Sequence, residues 1–176
     1  MEKAVRKKIR LSNYDYSSGG SYFITICTDR KYPYLSEIKC VGDGVLDVPH
    51  IELTEFGIMV NEQIKEMNAV YDRSKIIKYV IMPDHVHMII CLYENIGSNT
   101  DHRGTSGTPS PTNAAVPALV STLKRFINKK IGFNIWQRSF HDHIIRSEKE
   151  FLEIWQYIEN NPINWANDKF NQNLWR

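Results

Sequence analysis

A chain of 176 residues, 42% hydrophobic and 24% charged, is long enough for one well-cored domain and too short for two ordinary ones. A net charge of +2 excludes polyanion binding through the field of the whole molecule, so any contact with nucleic acid must rest on local basic clusters. No apolar run is long enough to span a bilayer, the basic N-terminal stretch lacks a signal-peptide core, and three scattered cysteines without a CxxC fit reduced thiols, so a cytoplasmic protein with no membrane partner is expected.

"SYFITICTDR" sets Tyr22, Ile24 and Ile26 against Phe23, Thr25 and Cys27, the period of a strand. "YLSEIKCVGDGVLDVPHIELT" reads as short strands about a Gly42-Asp43-Gly44 turn. Phe56, Val60, Ile64, Met67 and Tyr71 then recur at helical spacing, with Thr54 as N-cap. "SKIIKYVIM" and "HVHMIICLY" are strands on either side of Pro83-Asp84, and the proline suits a strand end or a bulge. The segment Asn95 to Pro117 is rich in Gly, Ser, Thr, Asn and Pro and has almost nothing to bury, so it reads as a flexible loop within a single domain of residues 1–176.

"PALVSTLKRFINKKIG" follows as a helix, with Pro117 in its first turn and Gly132 at its end. "IWQRSFHDHIIRS" alternates as a strand. "SEKEFLEIWQYIENN" opens with Ser147 and Glu150 in capping-box spacing, and the helix is expected to stop before Pro162. The order is strand, hairpin, helix, strand, strand, helix, strand, helix. Its economical solution is an α+β fold, a mostly antiparallel sheet with helices packed on it, ferredoxin-like in outline.

The unusual feature is "VIMPDHVHMII". In a strand, residues i and i+2 share a face, so His85 and His87 project together while Val86 and Met88 point the other way. Two imidazoles side by side match the reach of a shared metal ion. A His-x-His also arises by chance, and hydrogen-bonded fillers remain open from the motif alone. The polar turn before the pair suggests a solvent-reachable strand end. "FHDHII" offers a rival pair, His141 and His143, with His143 also a candidate second layer behind the first or a phosphate contact. On the last helix Phe151, Ile154, Trp155 and Ile158 form the core stripe, with Tyr157 at its edge and Asn161 four residues on, projecting the same way. Spacing alone favours a boundary tyrosine followed by a capping asparagine.

"VIMPDHVHMII" followed by "IWQRSFHDHIIRSEKEFLEIWQYIENNPINW" resembles the single-tyrosine transposases of the HUH nuclease superfamily, in particular the transposase-like proteins associated with repetitive extragenic palindromes. The resemblance begins near "RLSNYDYSSGGSYFITICT" and breaks only in the low-complexity loop. It implies His85 and His87 as metal ligands, Tyr157 as nucleophile, Asn161 as the amide completing the site, and Mg²⁺ or Mn²⁺ as cofactor. It further implies a DNA transposase and single-strand endonuclease acting on hairpin-flanked DNA through a 5′-phosphotyrosine intermediate. His141 stands where family members often have a tyrosine, which leaves the role of "FHDH" open.

Under that resemblance, Arg6, Lys7, Lys8, Arg10, Lys124, Arg125, Lys129, Lys130, Arg138 and Arg146 are candidate phosphate contacts, although each cluster also fits a solvated face. Tyr14, Tyr16, Trp136 and Phe140 are candidate stacking platforms for unpaired bases of single-stranded or hairpin DNA. Subunit arrangement stays open between monomer and homodimer. Two alternatives accompany the nuclease: a catalytically silent hairpin-binding protein of the same fold, and a metallohydrolase built on His85, His87 and His143.

Overall fold

The structure, a computed structural model, describes residues 19–41, 48–93 and 115–167. Strand β1 (Gly20–Cys27) leads through one 3-10 turn (Asp29–Lys31) to a hairpin, β2 (Ser36–Val41) and β3 (Val48–Leu53). Helix α1 (Glu55–Val70), strands β4 (Ser74–Ile81) and β5 (His85–Leu92), helix α2 (Ala115–Ile131), strand β6 (His141–Ile145) and helix α3 (Glu148–Asn167) follow. The main sheet runs β4-β5-β1-β6 with every pairing antiparallel, the strand order of a ferredoxin-like α+β fold. The expected Gly42-Asp43-Gly44 turn and residues 95–114 of the expected loop lie outside the described residues. Residues 115–117, assigned to that loop from composition, instead form the first turn of α2.

One face of the sheet is covered by α1 and α2. Tyr22, Ile24 and Ile26 of β1 and Val86, Met88 and Ile90 of β5 pack there against Val60, Ile64, Leu123 and Ile127. The opposite face carries α3, where Ile158 packs with Val80, Met82 and Ile89 and with the inner side of the β2–β3 hairpin. Strand β5 is therefore covered on both sides, which explains why it reads as a near-continuous apolar run. A bulge at Ile77, between the Ile76–Ile90 and Lys78–Ile89 pairs, shifts the parity of β4. Downstream of it Lys78 turns toward α3, where its ammonium lies 4.7 Å from the Trp155 ring and 3.4 Å from Glu159.

Helix ends follow the sequence signals, with one exception. Thr54 Oγ1 accepts from Gly57 N at 3.1 Å, Ser147 Oγ accepts from Glu150 N at 3.2 Å, and Gly132 closes α2 at φ +93°. The exception is Pro162, which lies inside α3 instead of ending it. Proline removes one backbone hydrogen bond and crowds the carbonyl four residues back. The helix continues because its next turn has something to bury: Trp165 packs beside His85 and on the Ile158 cluster. Among the described residues no helix is long and apolar enough to cross a membrane.

Gly57 is a point of close approach, since a Cβ there would lie 1.9 Å from the carbonyl oxygen of Leu35. Leu35 N in turn donates to Pro83 O at 3.0 Å, in the turn between β4 and β5. Gly57→Ala is therefore expected to force α1 off this strap and lower stability by about 1–3 kcal/mol. Urea unfolding checks this, and an unchanged midpoint would show that the strap yields freely.

Candidate active site

Strands β1 and β5 pair with Thr25 opposite His87 and Cys27 opposite His85. Strand alternation sends Phe23, Thr25, His85 and His87 to the α3 side. The two imidazoles stand 4.4 Å apart between ring centres and are 8% and 7% exposed. Helix α3 crosses above them and presents Tyr157 and Asn161, one turn apart. Tyr157 Oη lies 3.3 Å from His87 Nε2, and Asn161 is 7% exposed. His85, His87, Tyr157, Asn161, Thr25, Cys27, Lys31, Asn164 and Trp165 line one pocket of about 310 Å³. The pair and the tyrosine helix thus meet within a single chain.

Each imidazole has a fixed outer partner. His85 Nδ1 lies 2.5 Å from Asp84 Oδ1; a carboxylate only accepts, so Nδ1 carries a proton and Nε2 is the nitrogen turned to the pocket. His87 Nδ1 shares a hydrogen bond with Thr25 Oγ1 at 2.8 Å, and Nε2 shares one with the Tyr157 hydroxyl. Phe23 packs against both His87, at 5.2 Å, and Tyr157, at 6.0 Å, bracing the pair from β1. Burial, with the neighbouring His85 charge adding to it, pushes the His87 pKa down to about 3, so this ring is neutral at physiological pH.

The donor set suits a divalent cation. Two imidazoles, each turning Nε2 toward the pocket, and one amide converge on a space with room for water and a phosphate oxygen. No three His, Cys, Asp or Glu side chains are grouped to hold a metal among the described residues, and the Asn161 amide, buried in the same pocket, is a candidate third donor.

Several expectations need correction. The turn before the histidines is not open to solvent: Asp84 is buried, with its carbonyl 2.9 Å from Thr28 N. His143 is not near the pair; its Nε2 lies 2.6 Å from Glu150 at the start of α3, which removes the metallohydrolase built on His85, His87 and His143. His141 is exposed on the neighbouring strand, opposite Thr25. Lys124 is half-buried, and its ammonium binds the carbonyls of Gln137 and Ser139 at 2.8 and 2.7 Å. Desolvation draws its pKa down to about 8, against a smaller upward pull from Cys27, so it ties α2 to the β6 approach instead of offering a free surface charge. Trp136 and Phe140 are buried in the core and cannot stack on bases. Arg125, Lys129, Lys130, Arg138 and Arg146 remain exposed, with Lys130 facing Glu66 at 3.3 Å. Arg6, Lys7, Lys8, Arg10, Tyr14 and Tyr16 lie outside the described residues.

The site also contains residues that the sequence did not single out. Asp84 stands in the quoted motif, directly before His85, and its partner could have been inferred from that adjacency. Thr25 needs the β1–β5 register, and Lys31 needs the path of the loop after β1. Asn164 and Trp165 need the helix to continue through Pro162.

No family model matches the chain. A Haemophilus influenzae protein described as uncharacterized is 32% identical over 174 residues, spanning 93% of this chain and 92% of that protein. A second protein from the same organism, described as "putative REP-associated tyrosine transposase", is 25% identical over 162 residues, 87% of this chain and 77% of that protein. A solved structure of a REP-associated tyrosine transposase bound to a REP hairpin shares the fold, with a TM-score of 0.59 at 21% identity over 93% of this chain and 74% of that one. Over most of its length the chain is similar to REP-associated tyrosine transposases. The similarity spans β1 to α3, the elements that build the pocket.

The depressed His87 pKa has a consequence for folding. The unfolded ring titrates near 6.5, so between pH 6.5 and about 3 the unfolded chain binds the extra proton. This contribution to stability is complete above pH 6.5 and is lost as pH falls through that window. An NMR titration is expected to keep the His87 ring in its neutral form down to about pH 4. A midpoint near 6.5 would show that the ring is not held as described.

Proposed function

We propose that this chain is a single-strand DNA endonuclease and strand transferase acting on hairpin-flanked DNA, with Tyr157 as nucleophile. What carries the reading is the convergence of the Tyr157 hydroxyl, the Nε2 atoms of two imidazoles and a buried amide on one pocket. The relative named for tyrosine transposition and the fold neighbour solved with a REP hairpin support the substrate class. Five basic side chains at the surface, Arg125, Lys129, Lys130, Arg138 and Arg146, are available to phosphates.

Chemically, the phenol oxygen of Tyr157 forms a bond to phosphorus as the bond from phosphorus to the 3′ oxygen breaks. The phenol gives up its proton and the departing 3′ oxygen takes one up, leaving a 5′-phosphotyrosine and a free 3′-OH. Because a phenolate is itself a serviceable leaving group, the same 3′-OH or another can attack in reverse and rejoin a strand. A Mg²⁺ or Mn²⁺ ion, held by His85, His87 and Asn161, would supply neutralisation of the phosphate's non-bridging oxygens. Asp84 and Thr25 hold the imidazoles so that each Nε2 faces the pocket. Lys31, lining the pocket with its ammonium 3.7 Å from Asp84, adds positive charge at the site. The Tyr157 hydroxyl rests on the same His87 Nε2 that would hold the ion.

Incubation with labelled single-stranded hairpin DNA and Mn²⁺ is expected to give a covalent protein–DNA adduct that Tyr157→Phe abolishes. An adduct persisting in that variant would refute Tyr157 as the nucleophile. By calorimetry without DNA, Tyr157→Phe should retain Mn²⁺ binding, whereas Asp84→Ala should weaken it by about 10- to 100-fold. Unaltered Mn²⁺ affinity in Asp84→Ala and in His87→Ala would place the ion elsewhere.

A further inference from the structure

The loop that follows β1 is built unusually for a simple connection. Arg30 and Lys31 both take left-handed backbone angles, φ 51° and 56°, a conformation that non-glycine residues adopt at a cost. The surroundings hold the loop in place. Thr28 Oγ1 lies 2.7 Å from the Tyr32 carbonyl and 2.9 Å from the Asp84 carbonyl, and Asp29 N donates to Ile135 O at 2.8 Å. One hydroxyl thus binds this loop to the turn that carries Asp84 and His85. The strained residues are both basic: Lys31 lines the pocket, and Arg30 is exposed, with an exposed Asp29 at 3.9 Å.

Immediately beyond Lys31 lies a group of aromatic rings. Tyr32 and Tyr34 are 4.6 Å apart, Tyr34 is 6.2 Å from Phe133, and Phe56 is 5.9 Å from Phe133. Tyr34 and Phe56 pack on the core and give the group a rigid base. Tyr32 and Phe133 are 57% and 48% exposed. A protein has no folding reason to leave two large rings of one cluster open to solvent, and an exposed aromatic cluster marks a binding surface. Rings of this kind, beginning one residue after Lys31 of the pocket and beside Arg30, match single-stranded nucleic acid, whose bases stack on aromatic faces while its phosphates take the charges.

We infer that the loop from Arg30 to Tyr32, together with Phe133, forms the track along which unpaired DNA leaves the Tyr157 pocket. Lys31 and Arg30 contact the phosphates next to the reacting one, and Tyr32 and Phe133 stack on the unpaired bases. This inference rests on the nuclease reading above and assigns the single-stranded part of its substrate to a surface.

The test uses the Tyr157→Phe protein, which forms no adduct, and fluorescence anisotropy with two DNAs in Mn²⁺: a hairpin bearing a single-stranded extension and the same hairpin with a blunt end. Tyr32→Ala and Phe133→Ala, each added to Tyr157→Phe, are expected to weaken binding of the tailed hairpin by between about five- and a hundredfold. Binding of the blunt hairpin should not change. Tyr32→Phe, which keeps the ring, should bind like the parent. Lys31→Asn, which removes the charge while tolerating a left-handed backbone, should lower the salt slope for the tailed DNA by about one. Circular dichroism separates these effects from misfolding. Tailed binding unaffected by either alanine variant, or losses equal for both DNAs, would overturn the inference. Failure of the parent protein to bind either DNA would instead bring down the nuclease reading, and the track with it.

Discussion

Strand β5 is covered on both faces, so each of its polar side chains must find a partner inside the protein. Burying an imidazole without one costs free energy, and the interior offers few candidates. For His85 the partner is the carboxylate one residue back, and for His87 it is the hydroxyl across the ladder on β1. In both rings the inner nitrogen is taken. The outer nitrogen then faces the polar space between the sheet and α3. Where each Nε2 points therefore follows from satisfying buried groups in a central strand, and the site's geometry is inherited from the sheet.

The same constraint explains the bracing around the site. Asp84 can serve His85 only if its turn is fixed, and the turn is fixed by backbone contacts: Thr28 N to Asp84 O and Leu35 N to Pro83 O. Leu35 also stands against Gly57 at the start of α1, so a helix on the far face of the sheet bears on the position of the imidazole pair. The left-handed residues Arg30 and Lys31 sit in this connection, where the surrounding contacts determine the backbone more strongly than local preference does.

Much of this was legible in the sequence because it is periodic. Alternation in β1 and β5 assigned Tyr22, Ile24 and Ile26 to one face and His85 and His87 to a shared one, and helical spacing put Tyr157 and Asn161 one turn apart. Caps at Thr54, Ser147 and Gly132 are local chemistry and read directly. The failures are places where a tertiary contact outweighs a local rule. Pro162 should end a helix, but Trp165, in the turn beyond it, has a surface to bury. Trp136 and Phe140 come from a stretch read as one alternating strand, of which only His141–Ile145 pairs as β6, while the residues before it follow the core with Ile135 and Trp136 both buried. Lys124 looks like one of a basic cluster until the 137–139 backbone is brought beside it. The bulge at Ile77 shifts parity without any glycine or proline to announce it.

Exposure within the pocket is divided in a way that fits the proposed chemistry. The three candidate cation donors are almost fully buried, whereas Tyr157 is 45% exposed. A donor that never changes its covalent state can be buried, and gains precision from it. A nucleophile that ends the first step attached to a DNA strand needs an open side for that strand to occupy. Placing Tyr157 at the pocket mouth and Asn161 one turn deeper on the same helix meets both demands with a single element. It also ties them together, since any displacement of α3 that carries the tyrosine away from the sheet withdraws the amide at the same time. Rejoining a strand then requires α3 back in place over β5, so the reverse step is confined to the arrangement in which the donor set is complete.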